Sequence, residues 1–198
     1  VCAFEDINPD GFLDLLVVNG HIDDTVRNVQ GAGYAQSPQL FLNNGTGAFR
    51  EVGASVGGGF SLPKVGRGLA CGDFDRDGDT DILMTTNHGP ALLYRVDQTS
   101  GNHSVRLKLI GTKSNRDAIG TKVKIFGDAG MQSRMVKGGS SYLSQSELPL
   151  TFGLGKSDTV QRVVVEWPSG KTEEYKNLMG GRAYQITESK GISKKDGF

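Results

Sequence analysis

Apolar residues along this chain come in short runs, and polar residues alternate with them instead of recurring at helical spacing. "DLLVVN", "DILMTTN", "HSVRLKLIG", "GTKVKIFG", "QSRMVKGG", "VQRVVVEW", "KTEEYKN" and "AYQITES" are each bounded by Gly, Asn, Asp or Ser. That is the period of half-buried strands closed by tight turns, and no window supports a helix of three turns. In "HSVRLKLIG", Val105, Leu107 and Leu109 share one face while Arg106 and Lys108 share the other. "WPSGK" reads as a hairpin turn, with Pro168 and Gly170 in turn positions. The pattern predicts an all-β chain. Its six or seven strands beyond residue 102 are expected to form a small β-sandwich.

The leading half repeats itself. At an offset of 67 residues Ala3 matches Ala70, Asp6 matches Asp73, Asp10 matches Asp77, Gly11 matches Gly78 and Asp14 matches Asp81. "PQLFLNNG" then resembles "PALLYRVD", provided that "HIDDTVRNVQGAGYA" is an insertion in the first copy. What remains is a unit of about 50 residues with room for about four short strands, the period of a propeller blade. Two such units do not close a ring. They are either part of a larger propeller or packed in some other way.

Charge marks the boundary between halves. Residues 1–102 carry 6 Lys and Arg against 13 Asp and Glu, net −7, and residues 103–198 carry 16 against 9, net +7. The switch falls in the polar stretch "DQTSGNHS", dividing the chain into a repeat region 1–101, a sandwich 102–189 and a tail 190–198. Cations of the basic half are spread over alternating strand positions without interleaved aromatics, so no nucleic-acid partner is expected. No apolar run is long enough for a membrane span. Val1 opens inside a strand-like motif without an initiator Met, which reads as a processed chain or a fragment. Cys2 and Cys71 fit no metal spacing and could be a disulfide or two free thiols.

The chemistry sits in two acidic loops, "EDINPDGFLDLLVVN" and "GDFDRDGDTDILMTTN". Turn formation explains one or two aspartates, not four or five. Carboxylates a few ångströms apart repel by roughly 1 to 4 kcal/mol per pair, and a hard divalent cation removes that repulsion. Calcium takes six to eight oxygens, alternate positions of a tight loop aim at one centre, and a glycine at the sixth position lets the chain turn around the ion. The first set of ligands is then Asp6, Asn8, Asp10 and Asp14 with the carbonyl of Phe12. The second is Asp73, Asp75, Asp77 and Asp81 with the carbonyl of Asp79. An EF-hand would need Glu at position 12, where Val17 and Met84 stand, so the ninth-position aspartate closes each site instead. Two Ca²⁺ sites are expected.

These loops resemble the FG-GAP/VCBS repeats of integrin α-chain propellers and of many bacterial surface proteins. The resemblance, covering roughly residues 1–97, implies propeller blades whose calcium loop stiffens the joint between neighbouring strands. The basic half is similar to the ASPIC/UnbV domain, on "GTKSNRDAIGTKV", "GGSSYLSQSE", "LTFGLGKSD" and "VVVEWPSGK" in that order. With "VNGHIDD" and "PQLFLNNGTGAFREV" added, the whole looks like the C-terminal part of a cartilage-acidic-protein family member. That resemblance implies a secreted or cell-surface protein and no established reaction.

No catalytic constellation emerges. His21 lies near Asp23 and Asp24, where a polar loop is the simpler reading than a transition-metal site, and His88 and His103 stand in turns. Ser140, Ser141 and Tyr142 lack a G-x-S-x-G context and read as packed turn residues. Glu147, Glu166, Glu173 and Glu174 contain no evident acid pair. The expected function is a calcium-binding, non-catalytic extracellular module for adhesion, matrix or assembly contacts with a protein or matrix partner, and its halves of opposite charge suggest self-assembly head to tail. The alternatives are a hydrolytic or polysaccharide-active site between the halves, around His21, and a carbohydrate-binding sandwich using Trp167, Tyr142, Tyr175 or Tyr184. Alternation in "VVVEW" places Trp167 in the core instead.

Overall fold

The computed structural model describes residues 1–25, 33–128 and 130–195, which contain strands and turns and no helix. The leading half forms two antiparallel meanders. One runs through β1 (Cys2–Glu5), β2 (Asp14–Val17), β3 (Gln39–Asn43) and β4 (Phe49–Glu51); the other runs through β5 (Gly66–Gly72), β6 (Asp81–Thr86) and β7 (Leu92–Tyr94). In each, the acidic loop joins the first strand to the second. The second unit has three strands where about four were expected. Of the insertion in the first copy, residues 26–32 lie outside the described residues. Leu16 pairs with Leu40 and its counterpart Leu83 with Leu93, so the third strands correspond at an offset of 53, one more than matching Pro38 to Pro90 implies.

The two blades bury opposite faces. Side chains alternate across a strand, so equivalent residues stand on equivalent faces of their own sheets. In the first blade Ala3, Leu16, Val18 and Leu40 are buried, with Leu16 only 1% exposed and Leu40 5%. Their counterparts in the second blade are Ala70, Leu83, Thr85 and Leu93, of which Leu83 is 42% and Leu93 50% exposed. The second blade instead buries Leu69, Cys71, Ile82 and Met84. Those residues correspond to Cys2, Phe4, Leu15 and Val17, and Phe4 is 54% exposed. The blades are therefore stacked like cards facing the same way, one face type against the other, around a shared apolar cluster. No disulfide joins them: Cys2 is an exposed and Cys71 a buried free thiol.

Among the described residues the second half is a sandwich of eight strands, not six or seven. One sheet has the order β10 (Gly130–Met135), β9 (Lys122–Gly127), β12 (Thr159–Glu166), β13 (Thr172–Met179). The other has the order β11 (Leu150–Gly155), β8 (His103–Ile110), β14 (Arg182–Thr187), β15 (Gly191–Lys195). β14 runs parallel to β8, and the remaining pairs are antiparallel. Residues 190–198 were set apart as a tail, yet Gly191–Lys195 form the edge strand β15 beside β14. The core holds Val105, Leu107, Leu109, Val123, Ile125, Phe152, Val163, Val165, Trp167 and Ile186, each worth roughly 1.5–3 kcal/mol where an aliphatic or Phe side chain is fully buried. "WPSGK" turns as expected: Trp167 N–H donates to the Lys171 carbonyl (2.8 Å) and Gly170 N–H to the Trp167 carbonyl (2.9 Å).

One buried carboxylate ties this half together. Glu188, with no exposed surface, accepts through Oε2 from the N–H groups of Thr112 (2.8 Å), Lys113 (2.7 Å) and Ser114 (2.8 Å), and through Oε1 from the Ser114 and Ser169 hydroxyls. The "GTKSN" and "WPSGK" segments thus converge on it. Burial alone would raise its pKa, but these donors outweigh burial and hold it down at about 2, against an ordinary 4.5. A folded-state value below the unfolded one contributes stability that is present above the unfolded pKa and is lost as pH falls through the folded one. Denaturant midpoints should therefore fall from about pH 5 down to about pH 2. Glu188→Gln should cost about 1–3 kcal/mol at pH 7 and flatten that acid limb. Denaturation curves of both proteins across this range provide the measurement, and parallel curves would remove Glu188 from the account.

Candidate metal centre

The two acidic loops share a backbone design. Gly11 and Gly78 both take positive φ, at +98° and +99°, the left-handed conformation that glycine adopts without penalty. The ninth-position aspartates are buried and bonded alike. Asp14 accepts from Ile7 N–H (2.9 Å) and Asn43 N–H (2.8 Å), and Asp81 accepts from Phe74 N–H (3.1 Å) and Val96 N–H (2.8 Å). Each therefore clamps its own loop to the third-strand region of its blade, at Asn43 within β3 and at Val96 just beyond β7. The first-position aspartates Asp6 and Asp73 accept from the glycine N–H groups of Gly11 (2.9 Å) and Gly78 (3.2 Å).

In the second loop, ligand atoms of Asp73, Asp75 and Asp81 lie within 4.8 Å of one another. Asp73 Oδ1 is buried and has no hydrogen-bond partner. Asp77 is not in this group; its Oδ1 accepts from Asp79 N–H (2.9 Å), and the Asp79 carboxylate accepts from Gln98 N–H (2.8 Å). In the first loop Asp10 accepts from the Asn8 side-chain amide (2.9 Å) and from Phe12 N–H (2.9 Å), while Asn8 Oδ1 is buried without a partner. Each loop thus holds one acceptor oxygen with nothing to bond, a costly arrangement in an apolar surround and one that a cation relieves. Burial pushes Asp6 up to about 7 and Asp14 to about 6, against the pull of backbone N–H groups. Burial raises Asp79 and Asp81 likewise.

The loops are seated on the sandwich, which the sequence did not suggest. Asp6 Oδ2 also accepts from Gly153 N–H (3.2 Å) in β11, and Pro9 O accepts from Gly155 N–H (3.0 Å). Gly153 allows this approach because a Cβ there would collide with Asp6 and with the Pro9 backbone. Gln98 and Asn102 in the linker donate to the Ile7 and Asn8 carbonyls. On the other loop Arg106 of β8, 7% exposed, pairs with both Asp73 and Glu147. Burial pushes Glu147 up to about 7 although Arg106 pulls the other way. Arg106 stands on the face of β8 opposite Val105, Leu107 and Leu109; the acidic loop of the second blade meets that face at Arg106, whereas Lys108 further along it is exposed.

The serine-rich "GGSSYLSQSE" works as a splint along the first strands of the blades. Ser141 donates to the Cys2 carbonyl (3.0 Å), while the Ser144 and Ser146 hydroxyls accept from Leu69 N–H (3.1 Å) and Cys71 N–H (3.0 Å). His21 closes a local turn with Asp23, its Nδ1 3.1 Å from the Asp23 amide, and Asp23 in turn holds Thr25. Glu166 pairs with Lys124, Glu174 with Arg162 and Lys176, and Glu173 accepts from Trp167 Nε1 (2.7 Å). Trp167 is 3% and Tyr184 5% exposed, so of the candidate sugar-stacking aromatics Tyr142 alone stands well out of the surface, at 64%.

Comparison with known proteins agrees with this architecture. Residues 6–84 match the family model for FG-GAP-like repeats, and residues 111–193 match that for ASPIC and UnbV. Fold and matches together define the class: an all-β chain whose leading blades are similar to FG-GAP-like repeats and whose sandwich is similar to ASPIC and UnbV. Among curated proteins the chain is similar to cartilage acidic protein 1 of Homo sapiens, 33% identical over 138 residues, covering 66% of this chain and 20% of the relative. Cartilage acidic protein 1 of Mus musculus is 35% identical over 121 residues, 57% of this chain and 18% of the relative. The Xenopus tropicalis protein of that name is 35% identical over 111 residues, 54% and 17%. The chain spans about a fifth of the length of these relatives.

Proposed function

We propose that the chain is a calcium-stabilised, non-catalytic module of the extracellular or cell-surface kind, making matrix, adhesion or assembly contacts. The observation that carries this reading is the convergence of Asp73, Asp75 and Asp81 around a buried, unpartnered Asp73 oxygen, with the same loop design repeated at Asp6–Asp14. Asp73, Asp75, Asp77, Asp81 and the Asp79 carbonyl would hold one ion. Asp6, Asn8, Asp10, Asp14 and the Phe12 carbonyl would hold the other. Calcium would supply the positive charge that several buried carboxylates lack, and hard oxygen donors without His or Cys suit it better than a transition metal. The extracellular setting is supported by similarity to proteins named cartilage acidic protein 1.

Calcium titration by calorimetry tests the assignment. The chain should take up two ions, and Asp75→Asn and Asp10→Asn should each remove one of them. No calcium uptake, or uptake unchanged in both variants, would falsify the assignment.

A further inference from the structure

The sequence holds two Asn-Gly pairs, Asn19-Gly20 and Asn44-Gly45, in different surroundings. A glycine after asparagine has no Cβ to shield its backbone nitrogen, which can then reach the side-chain amide carbon of the asparagine. Asn44 and Gly45 stand exposed in the β3–β4 turn, where Asn44 N–H donates to the Ala48 carbonyl (3.1 Å). Asn44 Oδ1 accepts from both the N–H (2.9 Å) and the hydroxyl (2.7 Å) of Thr46. Two donors on that oxygen polarise the amide carbon and stand where negative charge develops when a nucleophile adds to it, as in an oxyanion hole. Gly45 N–H donates to Asn43 Oδ1 (3.0 Å) and lies outside the β3–β4 ladder, so its removal breaks no sheet bond. Asn19 is held instead. It is half-buried, and its amide nitrogen donates to the Ser37 carbonyl (3.1 Å) and to Gln39 Oε1 (3.0 Å). Its own carbonyl accepts from Gly66 N–H (2.8 Å) and that of Gly20 from Arg67 (3.2 Å), which pins the backbone that ring closure must rotate.

We propose that Asn44 is a site of spontaneous deamidation in the folded chain and that Asn19 is protected from it. The Gly45 nitrogen gives its proton to hydroxide and attacks the Asn44 amide carbon. The bond to the amide nitrogen breaks, and that nitrogen takes a proton from water and leaves as ammonia. Water then opens the cyclic imide at either carbonyl, giving aspartate or isoaspartate. In sum water is consumed and ammonia released, with no oxidant or reductant. Both products add a negative charge to the turn. The isoaspartyl form also lengthens the backbone by a carbon beside Asn43, whose N–H holds Asp14 (2.8 Å), in a turn where Gly45 lies against the Phe12 ring. The change is thus passed to the first acidic loop. The reaction needs no metal, so it stands or falls apart from calcium binding.

Incubation of the folded chain at mildly alkaline pH, followed by peptide mapping with mass spectrometry, tests this. Asn44 should show the mass increment of amide-to-acid conversion several times faster than Asn19, and faster still as pH rises, because the deprotonated nitrogen is the nucleophile. In urea the two sites should react alike, since both are Asn-Gly pairs freed of their surroundings. Thr46→Val should slow the reaction at Asn44 about fivefold, the worth of one hydrogen bond, and Thr46→Ser should restore it. An unchanged slow rate at Asn19 shows that the variants remain folded. Conversion at Asn44 no faster than at Asn19 in the folded chain, or a Thr46→Val variant that reacts as fast as the unmodified one, would each overturn the proposal.

Discussion

Chelating calcium with EGTA should lower the melting temperature of this chain by roughly 10–20 °C. A ligand that binds only the folded state stabilises by RT ln(1 + [L]/Kd), about 2.7 kcal/mol per site when calcium stands at 100 times its Kd. For a chain of this length one kcal/mol moves the midpoint by about 2–4 °C, so each site accounts for about 5–10 °C. The loss should concentrate in the blades, where the acidic loops join first to second strands, and magnesium should restore little of it because it holds its waters and demands a stricter octahedron. Scanning calorimetry with and without chelator is the measurement. Superimposable traces would leave the loops as polar turns.

Replacing Arg106 with Met should destabilise the fold by about 3–5 kcal/mol, the usual consequence of stripping one partner from a buried ion pair. Its guanidinium serves two acids at once, Asp73 on the blade and Glu147 on the sandwich loop, and removal leaves buried Asp73 beside half-buried Glu147 with no shared cation. The penalty should depend on metal. With calcium bound, Asp73 keeps a positive neighbour, so Arg106→Met should be milder in calcium than in EGTA. Urea denaturation of the single variants Arg106→Met and Asp73→Asn and of the double variant, each with and without calcium, separates the pair energy from the metal contribution. An equal cost in both conditions would mean that loop and sandwich are not coupled through this residue.

The second prediction concerns the junction between halves, and the junction is where sequence reading stopped. The all-β character, the blade repeat and the acidic loops were legible because each is a local pattern: alternation, a 67-residue offset, aspartates at every second position. Spacing alone singled out position nine of each loop, and Asp14 and Asp81 accept corresponding backbone hydrogen bonds in the two blades. The burial of Arg106 gave no signal, because alternation separates the two faces of a strand without telling what lies over either. Glu188 gave no signal, since a single acid among turn residues looks like any solvated one until five donors surround it.

By itself the sequence determined the all-β character, most of the strands and turns and the place of the two acidic loops, because backbone alternation and turn chemistry act over a few residues. Only the tertiary structure decided which face of each blade is buried, that Gly153 and Arg106 reach the acidic loops, and that Gly191–Lys195 complete a sheet. Those outcomes depend on residues far apart in the chain meeting in space. These two sheets share a pattern yet press unlike faces together, and no period read along one strand contains that information.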